Sequence, residues 1–209
     1  MITLYGYPRS RSLRIAWTLE ELELDYACEC IDLASGAGRQ EAHLRRHPFG
    51  KVPVLVDDGL TLFESAAIAR YLAERYQPGR LLPTETGARA RVDQWLSFAT
   101  TELEQPLWTM AKHCFALPEA QRVPAILPTA QWELAQALKA LARRFDGEEW
   151  LFGETFSLAD VFIGHTLEWA RAFEQPLPAG LEAYRERCLA RPAVVAAITR
   201  EQDAQARLA

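Results

Sequence analysis

The chain has 209 residues, enough for one large domain or two modest ones, each with its own core. Its 23 basic and 28 acidic residues give a net charge of −5, spread as 9 basic and 11 acidic over 1–79 and 14 basic and 17 acidic over 80–209. That balance argues against nucleic acid as a partner, since phosphate binding needs a basic face. Cysteines 28, 30, 114 and 188 are too few and too scattered for a disulfide framework, and they show no metal-ligand spacing. No apolar run approaches the ~20 residues of a membrane helix, and the chain starts without a signal-peptide pattern. A cytoplasmic protein with no metal and no membrane partner is expected.

In chain order, Ile2–Gly6 reads as a short buried strand. Residues 11–23 read as a helix, with Leu13, Trp17, Leu19 and Leu22 at helical spacing. Residues 26–31 alternate like a strand, which puts Cys28 and Cys30 on one face as packing residues. A short arginine-rich helix is expected over 38–46. Residues 53–56 are β-branched and apolar, Asp57-Asp58-Gly59 signals a hairpin, and Leu60 to Phe63 completes it. Residues 65–76 read as a helix with Ile68, Tyr71 and Leu72 on its apolar stripe. The order β-α-β-α-β-β-α implies a parallel pair joined by a right-handed crossover, followed by an antiparallel hairpin.

Gln77-Pro78-Gly79 breaks this pattern, and everything beyond it reads helical. One long periodic segment covers 86–116. Pro118, Pro124 and Pro128 punctuate a loop, and Thr129 is placed to cap a helix bearing Leu134, Leu138, Leu141 and Phe145. Ser157 and Asp160 form a capping-box variant at the next helix start. Two shorter helices follow near 179–189 and 192–206.

Three stretches then stand out: LYGYPRSRSLRIAWTLEEL (4–22), HPFGKVPVLVDDGLTLFESAAIARYLAERY (47–76) and FSLADVFIG (156–164). In this order and spacing the sequence resembles the soluble glutathione transferase superfamily over nearly its whole length, in its bacterial, serine-type, theta/phi/nu-like form. The resemblance implies an α/β plus all-α protein. A thioredoxin-like domain with a mixed four-stranded sheet (1–77) leads through a linker (78–85) to an all-helical domain (86–209). It further implies a homodimer that takes glutathione as cosubstrate, without a cofactor, and adds it to small apolar electrophiles. A glutathione-dependent isomerase, peroxidase or disulfide reductase, or a non-catalytic binding module, are the alternatives on the same scaffold.

The resemblance makes Ser10 the candidate thiol-activating residue, with Ser12 and Tyr7 as rival hydroxyls. Ser10 stands between the first strand and the first helix, where backbone N–H groups are unpaired and the helix dipole is positive. A free thiol titrates near ~8.5, so lowering it by about two units needs roughly 2.7 kcal/mol. A hydrogen bond to a charged group supplies ~1.5–3 kcal/mol and the helix terminus ~0.3–1, enough together without a metal. Relatives of redox type carry a cysteine where Ser10 stands, which weakens a thiol–disulfide reading.

For the rest of the tripeptide, the resemblance implies a cis bond at Val52-Pro53 that presents the backbone of Val52 to the cysteinyl part, as a strand edge would. Ser65 and the helix-start N–H groups suit a carboxylate. Glu64 is assigned to the γ-glutamyl amine and Lys51, one of three lysines, to the glycyl carboxylate. Trp108 and His113 are the candidates for lining a second-substrate site between the domains. Glu102 and Glu104 are further acids on that segment.

Overall fold

The structure, a computed structural model, describes residues 1–145 and 148–208. The chain forms two compact units, Met1–Thr84 with Leu189–Ala209, and Glu85–Cys188.

In the first unit, β1 (Ile2–Gly6), β2 (Tyr26–Cys30), β3 (Val54–Asp57) and β4 (Leu60–Phe63) make one sheet in the order β2-β1-β3-β4. β1 and β2 are parallel, joined through α1 (Ser12–Glu21). β3 runs antiparallel to both β1 and β4. The β3–β4 hairpin turns on Asp58 (φ 45°) and Gly59 (φ 89°), the paired positive φ values that match strand twist. α3 (Ser65–Tyr76) is tied back to the sheet by the Tyr71 and Tyr76 hydroxyls, which donate to Asp57 Oδ2 at 2.9 and 2.6 Å.

The helix expected over 38–46 is instead a 3₁₀ turn, Ala37–Arg39, and the single helical turn α2, Glu41–Leu44. The cause is a backbone approach: a Cβ on Gly50 would lie 2.2 Å from the Gly38 carbonyl oxygen. Two glycines must face each other there, and the chain bends to bring them together.

α1 is buried on almost every side, from Ser12 through Thr18 to Glu21. β1 and α3 pack on it, and so does α9 (Pro192–Ala206). Chain order alone assigns α9 to the helical region after 86, but its packing on α1 and β2 places it in the first unit. Arg191, at its start, holds Glu21 through two hydrogen bonds of 2.5 and 2.7 Å. That bidentate geometry fixes orientation as well as position.

The second unit is helical. The segment expected over 86–116 is one helical run with two π-type stretches, Ala99–Leu103 and Lys112–Ala116, dividing α4 (Thr86–Phe98) from α5 (Glu104–Ala111) and ending it. Glu85 caps α4, its carboxylate accepting from Gly87 N at 2.7 Å and Ala88 N at 2.6 Å. α6 (Leu127–Arg144) begins two residues before the expected Thr129 cap. Pro128 sits in its first turn, where a missing N–H costs nothing. α7 (Leu158–Ala172) and α8 (Ala179–Leu189) follow. Asp160 is fully buried and accepts four hydrogen bonds, from Ser157 N (2.8 Å), Ser157 Oγ (2.8 Å), Leu151 N (2.8 Å) and Tyr184 Oη (2.7 Å). The capping pair is thus also a staple between α7, α8 and the turn before α7.

Candidate glutathione site

The sheet register collects three loops at one end. Tyr5 pairs with Val54, and Val54 with Phe63. The residues just after β1, just before β3 and just after β4 therefore share that end of the sheet. They are Tyr7 to Arg11, Val52-Pro53 and Glu64-Ser65. Helices α1 and α3 both begin there, so both positive dipole ends face the same region. An anion is the natural guest of such a place.

The loop after β1 is shaped by close approach. A Cβ on Gly6 would lie 2.8 Å from Ser12 Cβ, so glycine is required for α1 to start against the strand. Arg9 takes a left-handed φ of 59°, which turns the chain into the helix. Ser10 is half-buried, and its Oγ accepts from Ser12 N at 3.1 Å and lies 2.8 Å from Ser12 Oγ. It therefore caps one helix-start N–H while its hydroxyl keeps a partly exposed edge.

Ser12, the rival hydroxyl, is fully buried. Its Oγ accepts from Tyr7 N (3.0 Å) and lies within bonding distance of Tyr7 O (2.9 Å) and Glu201 Oε1 (2.6 Å). Unlike Ser10, it exposes no surface to solvent. Tyr7 is half-buried, its backbone pinned on both sides by Ser12.

The Val52-Pro53 bond is cis, as the resemblance implies, and both residues are buried. Lys51 is exposed, with Nζ 5.6 Å from the centre of the Phe49 ring. Its carbonyl accepts from His43 Nε2 at 2.9 Å, which braces the approach to the cis bond. Glu64 has φ 72° and ψ 111° and makes no capping bond with its side chain. Ser65 opens α3 and is buried. A plain cap would have shown the Glu64 carboxylate folded onto the helix start. Instead the carboxylate is exposed and the backbone is held in a strained conformation, a combination typical of ligand-contacting residues. His47, buried beside it, packs against Phe63 in a tilted arrangement at 5.0 Å between ring centres, and burial holds its pKa below the ordinary value.

Trp108 and His113 lie in the second unit. Trp108 is half-buried on α5, and His113 Nδ1 accepts from Val123 N at 3.0 Å, a local bond that ties down the following loop. Glu102 is exposed and Glu104 buried. Among the described residues no cluster of His, Cys, Asp or Glu could hold a metal, and no helix is long and apolar enough to cross a membrane.

One participant escapes a reading along the chain. Glu201, on α9, is buried against Ser12 although 189 positions separate them. Burial pushes its carboxyl up to about 7, while the Ser12 bond pulls the other way. The signal that could find it is a helical one: Val194, Ala197 and Ala204 form the buried stripe of α9, and Glu201 falls on it at helical spacing.

Comparison with known proteins identifies the fold and the family. Residues 1–74 match the family model for the glutathione S-transferase N-terminal domain, and 124–194 that for the C-terminal domain. The chain is 34% identical to the disulfide-bond oxidoreductase YfcG of Escherichia coli K12, covering 97% of this chain and 96% of that one. It is likewise 34% identical to glutathione S-transferase F10 of Arabidopsis thaliana, over 77% of each. A solved glutathione transferase from Methylococcus capsulatus superposes with a TM-score of 0.83 at 31% identity, over 97% of this chain and 99% of that one. A thioredoxin-like sheet unit followed by helices is the shared architecture, and the chain belongs to the glutathione S-transferase family.

Proposed function

We propose that the protein binds reduced glutathione at the loop end of its sheet and conjugates the thiolate to small apolar electrophiles. The observation that carries this reading is Ser10. Its half-exposed hydroxyl stands at the first turn of α1, at the same sheet end as the cis Val52-Pro53 bond and Glu64-Ser65. The cysteinyl backbone would pair with Val52, the γ-glutamyl amine with Glu64, its carboxylate with Ser65 and the α3 N–H groups, and the glycyl carboxylate with Lys51. Held this way, the sulfur faces Ser10 and the α1 dipole, and positioning supplies much of the catalysis. Trp108 would line the electrophile site, with His113 shaping it through the loop it holds. A cytoplasmic homodimer is part of the same reading, and sedimentation tests the oligomeric state.

The likeness to a disulfide-bond oxidoreductase favours a second reading, glutathione-dependent disulfide reduction. In it, the attacking sulfur would still be glutathione's. Burial pushes Cys28 up to about 12 and raises Cys30, which leaves both poor nucleophiles. Conjugation of chlorodinitrobenzene against turnover of a mixed glutathione disulfide separates the two.

The test of the site is the pKa of bound glutathione, read from thiolate absorbance. Ser10→Ala should raise it by about one to two units and lower kcat/KM by roughly ten- to a hundredfold at neutral pH, the loss of one charged hydrogen bond. Tyr7→Phe should leave both unchanged. A low thiol pKa surviving in Ser10→Ala, and lost in Tyr7→Phe, overturns the assignment.

A further inference from the structure

Ser12 Oγ has one proton and two lone pairs, yet four polar atoms surround it: Tyr7 N (3.0 Å), Tyr7 O (2.9 Å), Ser10 Oγ (2.8 Å) and Glu201 Oε1 (2.6 Å). The Tyr7 N–H can only donate, so it always fills one lone pair. The remaining directions are set by the protonation state of Glu201.

When Glu201 is ionised it can only accept. The Ser12 proton goes to it, over the shortest contact and to a charge, and the second Ser12 lone pair draws the Ser10 proton inward. When Glu201 is protonated, its own O–H donates to Ser12. Both Ser12 lone pairs are then filled, its proton turns to Ser10 or to Tyr7 O, and the Ser10 proton must point elsewhere. The two states of one carboxyl thus send the Ser10 hydroxyl in opposite directions.

We propose that Glu201 is the terminal acceptor of the glutathione thiol proton, reached through the Ser10 and Ser12 hydroxyls, and that its protonation turns the Ser10 O–H toward the sulfur. The inference rests on the reading that the sulfur faces Ser10. In the relay the S–H bond breaks and its proton joins Ser10 Oγ. The former Ser10 proton passes to Ser12 Oγ, and the former Ser12 proton to Glu201 Oε1. Thiol plus carboxylate become thiolate plus carboxylic acid, with no net charge created and no co-reactant. At the end Glu201 donates to Ser12, Ser12 to Ser10, and Ser10 to the thiolate, so every bond in the chain is kept with its direction reversed. Glu201 acts through the serines and is a positioning residue rather than a catalytic one.

The surroundings suit a proton acceptor. Among the described residues no cation forms an ion pair with Glu201. From β1 it meets Gly6, and from α1 Ser12. From β2, Cys28 and Cys30 feel its charge, which helps hold both thiols protonated. The charged neighbours on α9 are engaged elsewhere: Arg200 with Glu20 and Tyr26 O, and Arg207 with Cys28 O. Glu21 of α1 is held by Arg191. A carboxyl that titrates about 7 lies between an ordinary carboxylate and a free thiol, so it can take the proton and later return it.

The experiment counts protons. Glutathione is added to the intact protein in weak buffer at about pH 8, where Glu201 is mostly ionised. Thiolate is read by ultraviolet absorbance and released protons by an indicator dye. The wild type should release well under one proton per thiolate formed, because the thiolate, bonded to Glu201 through Ser10 and Ser12, holds the Glu201 proton more tightly than does the protein without glutathione, where its pKa is about 7. Glu201→Gln, isosteric and neutral, should release a full proton per thiolate. Full release by the wild type overturns the relay, and needs no variant to fold. If instead Ser10→Ala keeps a low bound-thiol pKa, the reading of Ser10 itself fails, which is a separate outcome. Equal proton counts in wild type and Glu201→Gln would leave Glu201 a buried packing acid and defeat the proposal.

Discussion

Glu64 is asked to do two things that pull in opposite directions, and one pair of substitutions separates them. Its φ of 72° and ψ of 111° lie where an L side chain is disfavoured, at a cost of about 1–3 kcal/mol. Glu64→Gly removes that cost. It also loosens the unfolded chain, which takes back about 0.5–1 kcal/mol. The net expectation is a protein up to about 2.5 kcal/mol more stable than wild type. Glu64→Ala keeps Cβ and hence the strain, and an exposed truncation should change stability by under ~0.5 kcal/mol. Both variants lose the carboxylate assigned to the γ-glutamyl amine. A lost charged hydrogen bond of ~1.5–3 kcal/mol weakens glutathione about ten- to a hundredfold. Urea unfolding and calorimetric titration with glutathione measure the two quantities independently. If Gly is no more stable than Ala, the backbone at 64 is relaxed and the strain argument is wrong. If Ala binds glutathione as tightly as wild type, Glu64 does not hold the amine.

Two more outcomes follow from buried carboxyls. Asp160→Ala strips four hydrogen bonds from a fully buried acceptor and should cost about 3–5 kcal/mol in urea unfolding, while the folded fraction keeps its KM for glutathione. A cost under ~1 kcal/mol would show that the staple between α7 and α8 is not needed. Glu201 sets a pH dependence. Its folded pKa of about 7 lies above the 4.5 of an ordinary glutamate, so the folded state binds the extra proton. The stability this confers is full below about pH 4.5 and is lost as pH rises through 7, on the order of 3 kcal/mol in all. Glu201→Gln should lack that slope, and urea midpoints at about pH 5.5 and 8 that fall equally in both proteins would refute it.

What can be read along the chain is what neighbours decide. The Asp58-Gly59 turn, the Ser157–Asp160 pair and the strands, α1 and α3 of the sheet unit depend on residues within one turn or one hairpin of each other, and each stands where its pattern puts it. The helix expected over 38–46 is cut to a 3₁₀ turn and one helical turn because its competitor is remote: the Gly38–Gly50 approach outweighs local propensity over so short a segment. Glu85 gives no sign of being a cap because nothing apolar beside it marks a helix start, and the π-type stretches keep a helical spacing close enough to pass for one helix. Ser10 and Ser12 show the limit at the site itself. The resemblance puts Ser10 first, but propensity alone does not separate two hydroxyls two positions apart at a helix start. In the structure they differ in burial, Ser12 fully enclosed and Ser10 half-buried, and α9 packs on α1 from the far end of the chain. The same helix brings Glu201 to Ser12, so the element that removes one serine from the surface also gives it an acid to bond. An acid lying on the apolar stripe of a helix costs stability wherever it is buried without a cation. Its presence at that position in α9 is therefore the one mark, visible in the residue pattern itself, that the last helix serves the site that begins the chain.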